Sequence, residues 1–250
     1  MLTVTGLSAG YHRNEVLHGI GFSLSDGLTV LLGENGSGKT TLFRVLSGSL
    51  RPFSGTVLLD GEDLTRLSVK ERAGRITLLT GTHQTLSGMT GLDLAEMAFY
   101  PAHGLFYRPG KRENEKISSL AREMGAEALL SRPLDAMSGG ERQTVGLLAA
   151  VCQDTPVLLL DEPTAPLDYN RTHAFFRQAK ALAEKKILLA AVHDPALALR
   201  YADRILLMKE GKLVRDLFLK QTAPTDAEEA LKLLYPGIRV TLSDGVPAVY

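Results

Sequence analysis

A single cysteine, no excess of either charge and no long apolar run set the first limits on this chain. Cys152 stands alone in 250 residues, so no internal disulfide can form and a reducing compartment is expected. Val145, Leu148, Ala149 and Cys152 fall on one helical stripe, which makes the thiol a packing group rather than a nucleophile. The 28 basic residues balance 28 acidic ones, and a net charge of zero argues against a nucleic-acid partner, which usually demands a basic excess. No stretch reaches the ~18 consecutive apolar residues of a membrane-spanning helix. Met1-Leu2-Thr3-Val4 runs straight into strand-like alternation, so no signal peptide is expected. Apart from His193, the histidines show no ligand spacing, and no histidine-based metal site is expected. Against these absences stands a hydrophobic content of 44%, enough for one domain with subdomains or for two small ones.

The pattern along the chain changes twice. Residues 2–32 read as strand, with Leu2 and Val4, then Phe22 and Leu24, alternating around an Asp26-Gly27 turn. Thr56–Leu59 and Ile76–Leu79 are further short strands. From about Gly91 to Gln153 the spacing becomes helical, with Ile117, Leu120, Ala121 and Met124 at i, i+3, i+4 and i+7, interrupted by a loop at Tyr107–Lys111. Alternation then returns: strand 157–160, helix 170–184, strand 187–192, helix 195–202, and a strand pair turning at Glu210-Gly211. Strands alternating with helices imply a mainly parallel sheet covered on both faces, with the helical block inserted in it. From Pro224 the tail reads as a helix over 226–234 and a hairpin around Asp244-Gly245.

Three constellations carry chemistry. Gly33-Glu34-Asn35-Gly36-Ser37-Gly38-Lys39-Thr40 reads G-x-x-x-x-G-K-[ST], the phosphate-binding P-loop, with the apolar run Thr29–Leu32 before it and helical spacing after it. A strand turning through glycines into a helix aims free N–H groups and the helix dipole at one point. Lys39 can there reach the β- and γ-phosphates of a nucleotide, and the Thr40 hydroxyl can hold Mg²⁺. The strand Val157–Leu160 ends in Asp161 and Glu162. Asp161 is placed to hold Mg²⁺ through water and Glu162 to polarise an attacking water, although two acids capping a strand in solvent would look the same. Ser138-Gly139-Gly140-Glu141 opens the helix that carries Cys152. It is either a second anion site or an N-cap whose capping-box partner is Glu141.

Taken together, Met137-Ser138-Gly139-Gly140-Glu141-Arg142-Gln143, about a hundred residues after a P-loop and just before Asp161-Glu162-Pro163-Thr164, resembles the signature of ABC-type ATPases. The resemblance spans residues 1 to about 215. It implies an α/β fold with a P-loop core, an antiparallel β-subdomain and an inserted helical subdomain at about 86–154. The ATP-binding domain would occupy 1–218, and a helix-plus-hairpin extension 219–250. It implies ATP and Mg²⁺ as cofactors, with Thr41 joining the P-loop contacts. It implies that Tyr11 stacks on adenine, though locally Tyr11 reads equally well as a turn tyrosine. It makes Asp168, in Ala165-Pro166-Leu167-Asp168, the D-loop acid, with Pro166 a mild departure. It makes His193 the switch histidine that contacts the γ-phosphate, where a lone histidine at a strand end would otherwise be structural. One P-loop and one signature per chain imply a head-to-tail homodimer, each P-loop facing the partner's Ser138-Gly139-Gly140.

The stretches Gly88–Leu94, Phe106-Tyr107-Arg108, Gln153–Pro156 and Leu167–Asn170 are similar to ATPases of iron-siderophore, haem and cobalamin importers. The implied partners are transmembrane permease subunits and, indirectly, a substrate-binding protein, at the cytoplasmic face of the membrane. A soluble ABC ATPase, for example in iron-sulfur cluster assembly, and an exporter subunit remain as alternatives. One departure concerns Mg²⁺. After Ile76–Leu79 the family usually has Pro-Gln, and here stands Thr80-Gly81. Either Gln84 swings in as ligand, or water fills the position; in the second case Gly81→Gln is expected to keep or raise hydrolysis. The P-loop itself makes the plainest prediction. Lys39→Ala should abolish tight ATP binding and hydrolysis, checked by nucleotide binding and turnover of the purified protein, and near-normal turnover would contradict the assignment.

Overall fold

The computed structural model describes residues 1–81, 88–104, 106–243 and 246–249, with backbone alone at 242–243 and 246–248. The chain runs through β1 (Leu2–Tyr11), β2 (Asn14–Leu24), β3 (Gly27–Gly33), α1 (Lys39–Ser47), β4 (Ser54–Leu59), β5 (Glu62–Asp63), α2 (Val69–Ala73) and β6 (Ile76–Thr80). The helical block follows as α3 (Gly91–Glu96), α4 (Tyr100–His103), α5 (Lys111–Glu123), α6 (Glu127–Leu130) and α7 (Gly139–Cys152). The chain then returns through β7 (Val157–Asp161), α8 (Tyr169–Ala183), β8 (Ile187–Val192), α9 (Pro195–Tyr201), β9 (Arg204–Lys209) and β10 (Lys212–Phe218), and continues with α10 (Pro224–Leu231), β11 (Val240–Ser243) and β12 (Val246–Val249).

Among the described residues, six strands form the central sheet in the order β10-β9-β3-β8-β7-β6. Five of them are parallel, and β10 returns antiparallel on β9. The turn between β9 and β10 has positive φ at Glu210 (48°) and Gly211 (73°), the backbone of a tight hairpin. Strands β7 and β8 are buried at every position, which is why they read as unbroken apolar runs rather than as alternation. Their side chains nevertheless alternate in what they touch. Leu158, Leu160, Leu188 and Ala190 join Val30 and Leu32 in the core under α7, α8 and α9. Leu159, Leu189 and Leu31 join the core under α1 and the antiparallel sheet β2-β1-β4-β5.

Helix α7 serves several cores at once. Leu147, Ala150 and Val151 pack against the central sheet, Leu148 and Cys152 against Ala95, Ile117 and Ala121 of the helical block, and Val145 against Leu134 and Met137. The expected single stripe is therefore corrected. Of these four residues only Ala149 is half-exposed, and from Val145 onward the helix is buried on most sides because it lies between the sheet and the block. Cys152 is buried and its thiol is pushed up to about 11 by that burial. The tail helix also differs from expectation. It starts at Pro224, a residue favoured in the first turn, and ends at Leu231. Strands β11 and β12 pair antiparallel as expected, while Asp244 and Gly245 lie outside the described residues.

Candidate phosphate-binding site

The parallel register sets the site. The β3–β8 ladder ends at Leu32 opposite Val192, the β7–β8 ladder at Asp161 opposite Ala191, and the β6–β7 ladder at Thr80 opposite Asp161. Gly33 is the last residue of β3, and Gly81, Glu162 and His193 are each the first residue beyond their strands. All four stand at the carboxyl edge of the sheet, where open α/β sheets bind ligands.

The loop between β3 and α1 is wound around Gly38, the N-cap of α1, which adopts φ 106°. A Cβ there would also meet Met208 Cε at 2.8 Å and Leu17 Cδ2 at 2.9 Å, so only glycine fits. The hairpin turn buttresses the loop, since Gly211 N donates to the Ser37 carbonyl at 3.0 Å. Lys39 is only 5% exposed. Its Nζ donates to the carbonyls of Gly33 (2.7 Å) and Glu34 (3.1 Å), which holds the ammonium over the loop. Burial lowers its pKa, opposed by the carboxylates of Glu162 and Asp161. Glu34, Asn35, Gly36 and Thr40 are exposed around this cradle, and Thr41 is buried in the first turn of α1.

Asp161 ends β7 at 7% exposure. Burial holds its carboxyl above the ordinary range and the Glu162 charge adds to this, while a hydrogen bond from the Thr40 hydroxyl and the Lys39 charge pull the other way. Among the described residues, its Oδ1 and the buried Ser37 Oγ have no hydrogen-bond partner, and buried polar atoms normally have one. Glu162 is half-buried and sits at φ 49°, a left-handed backbone uncommon outside glycine. It is held there by its N–H to the Ala191 carbonyl (3.1 Å).

Gly81 takes part in that constraint and bears on the expectation for a glutamine at this position. Its N–H donates to the Asp161 carbonyl at 2.9 Å. A Cβ at Gly81 would lie 2.5 Å from the Glu162 carbonyl oxygen, inside any tolerable contact. A side chain at this position therefore requires Gly81 or the Glu162 backbone to shift. Gln84, the other candidate, lies outside the described residues.

At the start of α7 the capping box is realised. Ser138 Oγ accepts from Glu141 N (3.3 Å), and Glu141 Oε2 accepts from Ser138 N (2.8 Å). These bonds and the Arg132 guanidinium hold the Glu141 carboxyl down at about 2. The cap occupies the N–H of Glu141, and helix geometry gives those of Gly139 and Gly140 no intrahelical partner, so capping and anion binding are compatible. Asp168 is the N-cap of α8, accepting from Arg171 N at 2.9 Å. Arg171 is a residue that sequence reasoning missed. Its Nη1 donates to Ser138 Oγ at 2.7 Å and its Nε lies 3.6 Å from Asp168, so it bridges the two loops. Only its i,i+3 spacing from Asp168 was visible locally. Tyr11 ends β1 at 37% exposure. Its hydroxyl accepts from Arg44 Nη1 at 2.9 Å, and the Arg44 guanidinium lies 5.8 Å from its ring centroid. His193 is exposed after β8.

The donor set suits a magnesium phosphate. Thr40 and Asp161 offer adjacent hard oxygens, one of them without a partner among the described residues. Among the described residues no group of three or more His, Cys, Asp or Glu converges as a metal cage. Mg²⁺ is typically held by one or two protein oxygens together with substrate phosphates.

Comparison with known proteins gives this geometry a setting. The ABC transporter family profile matches residues 17–165. The chain is 33% identical over 252 aligned positions to the ferric enterobactin transport ATP-binding protein FepC of Escherichia coli, covering 97% of this chain and 91% of that one. It is 29% identical to the iron(3+)-hydroxamate import ATP-binding protein FhuC of Bacillus subtilis, covering 91% of this chain and 89% of the relative. Among solved structures it superposes on cbiO1 of Clostridium perfringens, part of an ABC transporter complex, with TM-score 0.78, 26% identity and coverage of 94% and 95%. A dimeric ATP-binding cassette bound to ADP and Pi shares the fold at TM-score 0.78 and 21% identity, covering 89% of this chain and 100% of that one.

The close packing of Gly81 generates a prediction. Gly81→Ala and Gly81→Gln should each lower ATP turnover by about 10- to 100-fold, because small misplacements of a reacting group cost that much. Equilibrium ATP binding should stay near wild type. Steady-state turnover alongside nucleotide binding checks this, and unchanged or raised turnover in Gly81→Gln would contradict it.

Proposed function

The chain belongs to the ABC transporter family of ATP-binding proteins, and we propose that it is the ATP-hydrolysing subunit of an importer for a metal chelate of the iron-siderophore, haem or cobalamin class. The observation that carries the ATPase reading is the buried Lys39 and Asp161 at the mouth of a P-loop, with an Asp161 oxygen that has no partner among the described residues. The importer reading is supported by relatives of importer systems that match over about nine-tenths of their length (91% and 89%). No helix among the described residues is long and apolar enough to cross a membrane, so a separate permease would form the channel and carry this subunit on its cytoplasmic side.

In this reading Lys39 and the N–H groups of residues 34–40 bind the β- and γ-phosphates. Tyr11 packs on the adenine. Mg²⁺ held by Thr40 and Asp161 would neutralise charge on the phosphates. Glu162 accepts hydrogen bonding from the attacking water and takes its proton. His193 faces the terminal phosphate. Ser138, Gly139 and Gly140 of one subunit, with Glu141 fixing their helix and Asp168 at the neighbouring loop, close on the nucleotide held by the other. Each chain thus carries two half-sites, and closure on ATP followed by opening after hydrolysis moves the permease.

Removing the Glu162 carboxylate leaves the phosphate contacts intact. Glu162→Gln should therefore bind ATP, hydrolyse it about 10²- to 10⁴-fold more slowly, and accumulate as a dimer in gel filtration with Mg-ATP. Loss of the gene should abolish uptake of one labelled chelate among a panel of ferric siderophores, haem and cobalamin, restored by wild type but not by Glu162→Gln. Normal uptake of every member of the panel would contradict the importer reading, and normal turnover would contradict the role of Glu162.

A further inference from the structure

The segment after β10 lies against the part of the sheet edge that carries His193. Helix α10 and the turns after it bury Leu231, Leu234 and Ile238 in the same core as Leu197, Ala198 and Tyr201 of α9. Strand β12 also packs on α9. The segment is tied internally, with Val240 N donating to Glu228 Oε2 at 2.9 Å. It is tied to the sheet as well, since Lys209 Nζ donates to the Leu233 carbonyl at 3.1 Å. Helix α9 begins directly after His193: Asp194 is its N-cap and accepts from Ala196 N (2.8 Å) and Leu197 N (3.4 Å).

At the contact between segment and sheet edge, the Tyr235 hydroxyl donates to the backbone carbonyl of His193 at 2.7 Å. The ring is packed against the core, and the turn around it is closed by Tyr235 N to the Leu231 carbonyl (2.8 Å) and Ile238 N to the Tyr235 carbonyl (3.0 Å). Burial, with the nearby charges of Asp194 and Glu34, pushes the phenol up to about 12, so it remains a donor throughout the neutral range.

We propose that Tyr235 is a positioning residue for the ATPase site: its hydroxyl fixes the His193 peptide, so that docking of the segment after β10 sets where the His193 imidazole stands. The peptide is then held on its β8 side by the ladder, on its α9 side by the Asp194 cap, and from outside by Tyr235. Partial undocking of the segment releases the third restraint alone and lowers turnover without touching the nucleotide. This inference rests on the reading that His193 faces the terminal phosphate.

The test is a double-mutant cycle on the full chain, comparing wild type, Tyr235→Phe, His193→Ala and the double variant by steady-state ATPase, with thermal melts of all four. Tyr235→Phe keeps the ring and its packing and removes the donor. It should lower kcat about three- to tenfold, the loss of one hydrogen bond, with KM for ATP unchanged within about twofold. In the His193→Ala background the same replacement should change kcat no further, since the two residues act as one unit. An unchanged kcat in Tyr235→Phe would overturn the inference while leaving the role of His193 standing. So would an equal fall in both backgrounds, which is what a purely structural tyrosine produces. A normal kcat in His193→Ala would overturn the reading of His193, and the inference with it.

Discussion

The parallel pairing of β3, β8, β7 and β6 is the constraint on which the site depends. In a parallel ladder the carboxyl ends of neighbouring strands meet at one edge. Here the ladders end at Leu32–Val192, Ala191–Asp161 and Asp161–Thr80, so the loops after them start side by side. The ladder continues one step into those loops, through Glu162 N to the Ala191 carbonyl and Gly81 N to the Asp161 carbonyl. Residues from four separate strands are thereby held by backbone hydrogen bonds rather than by side-chain packing. Backbone bonds tolerate little displacement, which explains why a methyl group at Gly81 would be felt at Glu162.

The same edge concentrates groups that burial disfavours in their charged forms. Desolvation lowers the Lys39 ammonium and raises the Asp161 carboxyl, and each is partly restored by the other's charge. Two charges arranged this way, with one carboxylate oxygen left without a partner among the described residues, are poorly optimised for stability and well suited to a charged ligand. Phosphate oxygens complement the ammonium and a hard cation complements the carboxylate. Arg171 shows the same economy at the start of α7, where one guanidinium bonds Ser138 and lies beside Asp168, the acid at the start of α8.

Features that are local in the chain were legible from sequence. The P-loop, the strand before Asp161-Glu162 and the capping box at Ser138 each lie within a short stretch, and it was their combination and order that separated function from plain capping. The three-part fold followed from the resemblance those motifs carry. Misreadings arose where one element faces several neighbours. Helix α7 was read as a single stripe because periodicity reports one buried face, whereas α7 has a buried side toward the sheet and another toward the helical block. Contacts between distant segments left no local trace. Gly81 meets Glu162, Arg171 meets Ser138 and Tyr235 meets His193 only after the sheet has assembled. Gly81, where sequence shows only an absent side-chain ligand, also packs closely against the loop of another strand.

The central claim is that each chain holds two incomplete halves of a catalytic site, completed by a second copy. The direct measurement mixes Lys39→Ala subunits with Gly140→Asp subunits, each inactive alone, and follows ATP turnover in proportion to the hybrids formed. In a head-to-tail dimer, each hybrid pairs the intact P-loop of one chain with the intact signature of the other. Turnover should then appear on mixing and reach about a quarter of wild type, from half the dimers carrying one working site of two. Hybrids that form, as shown by differential tagging, yet remain as inactive as their parents would contradict the account.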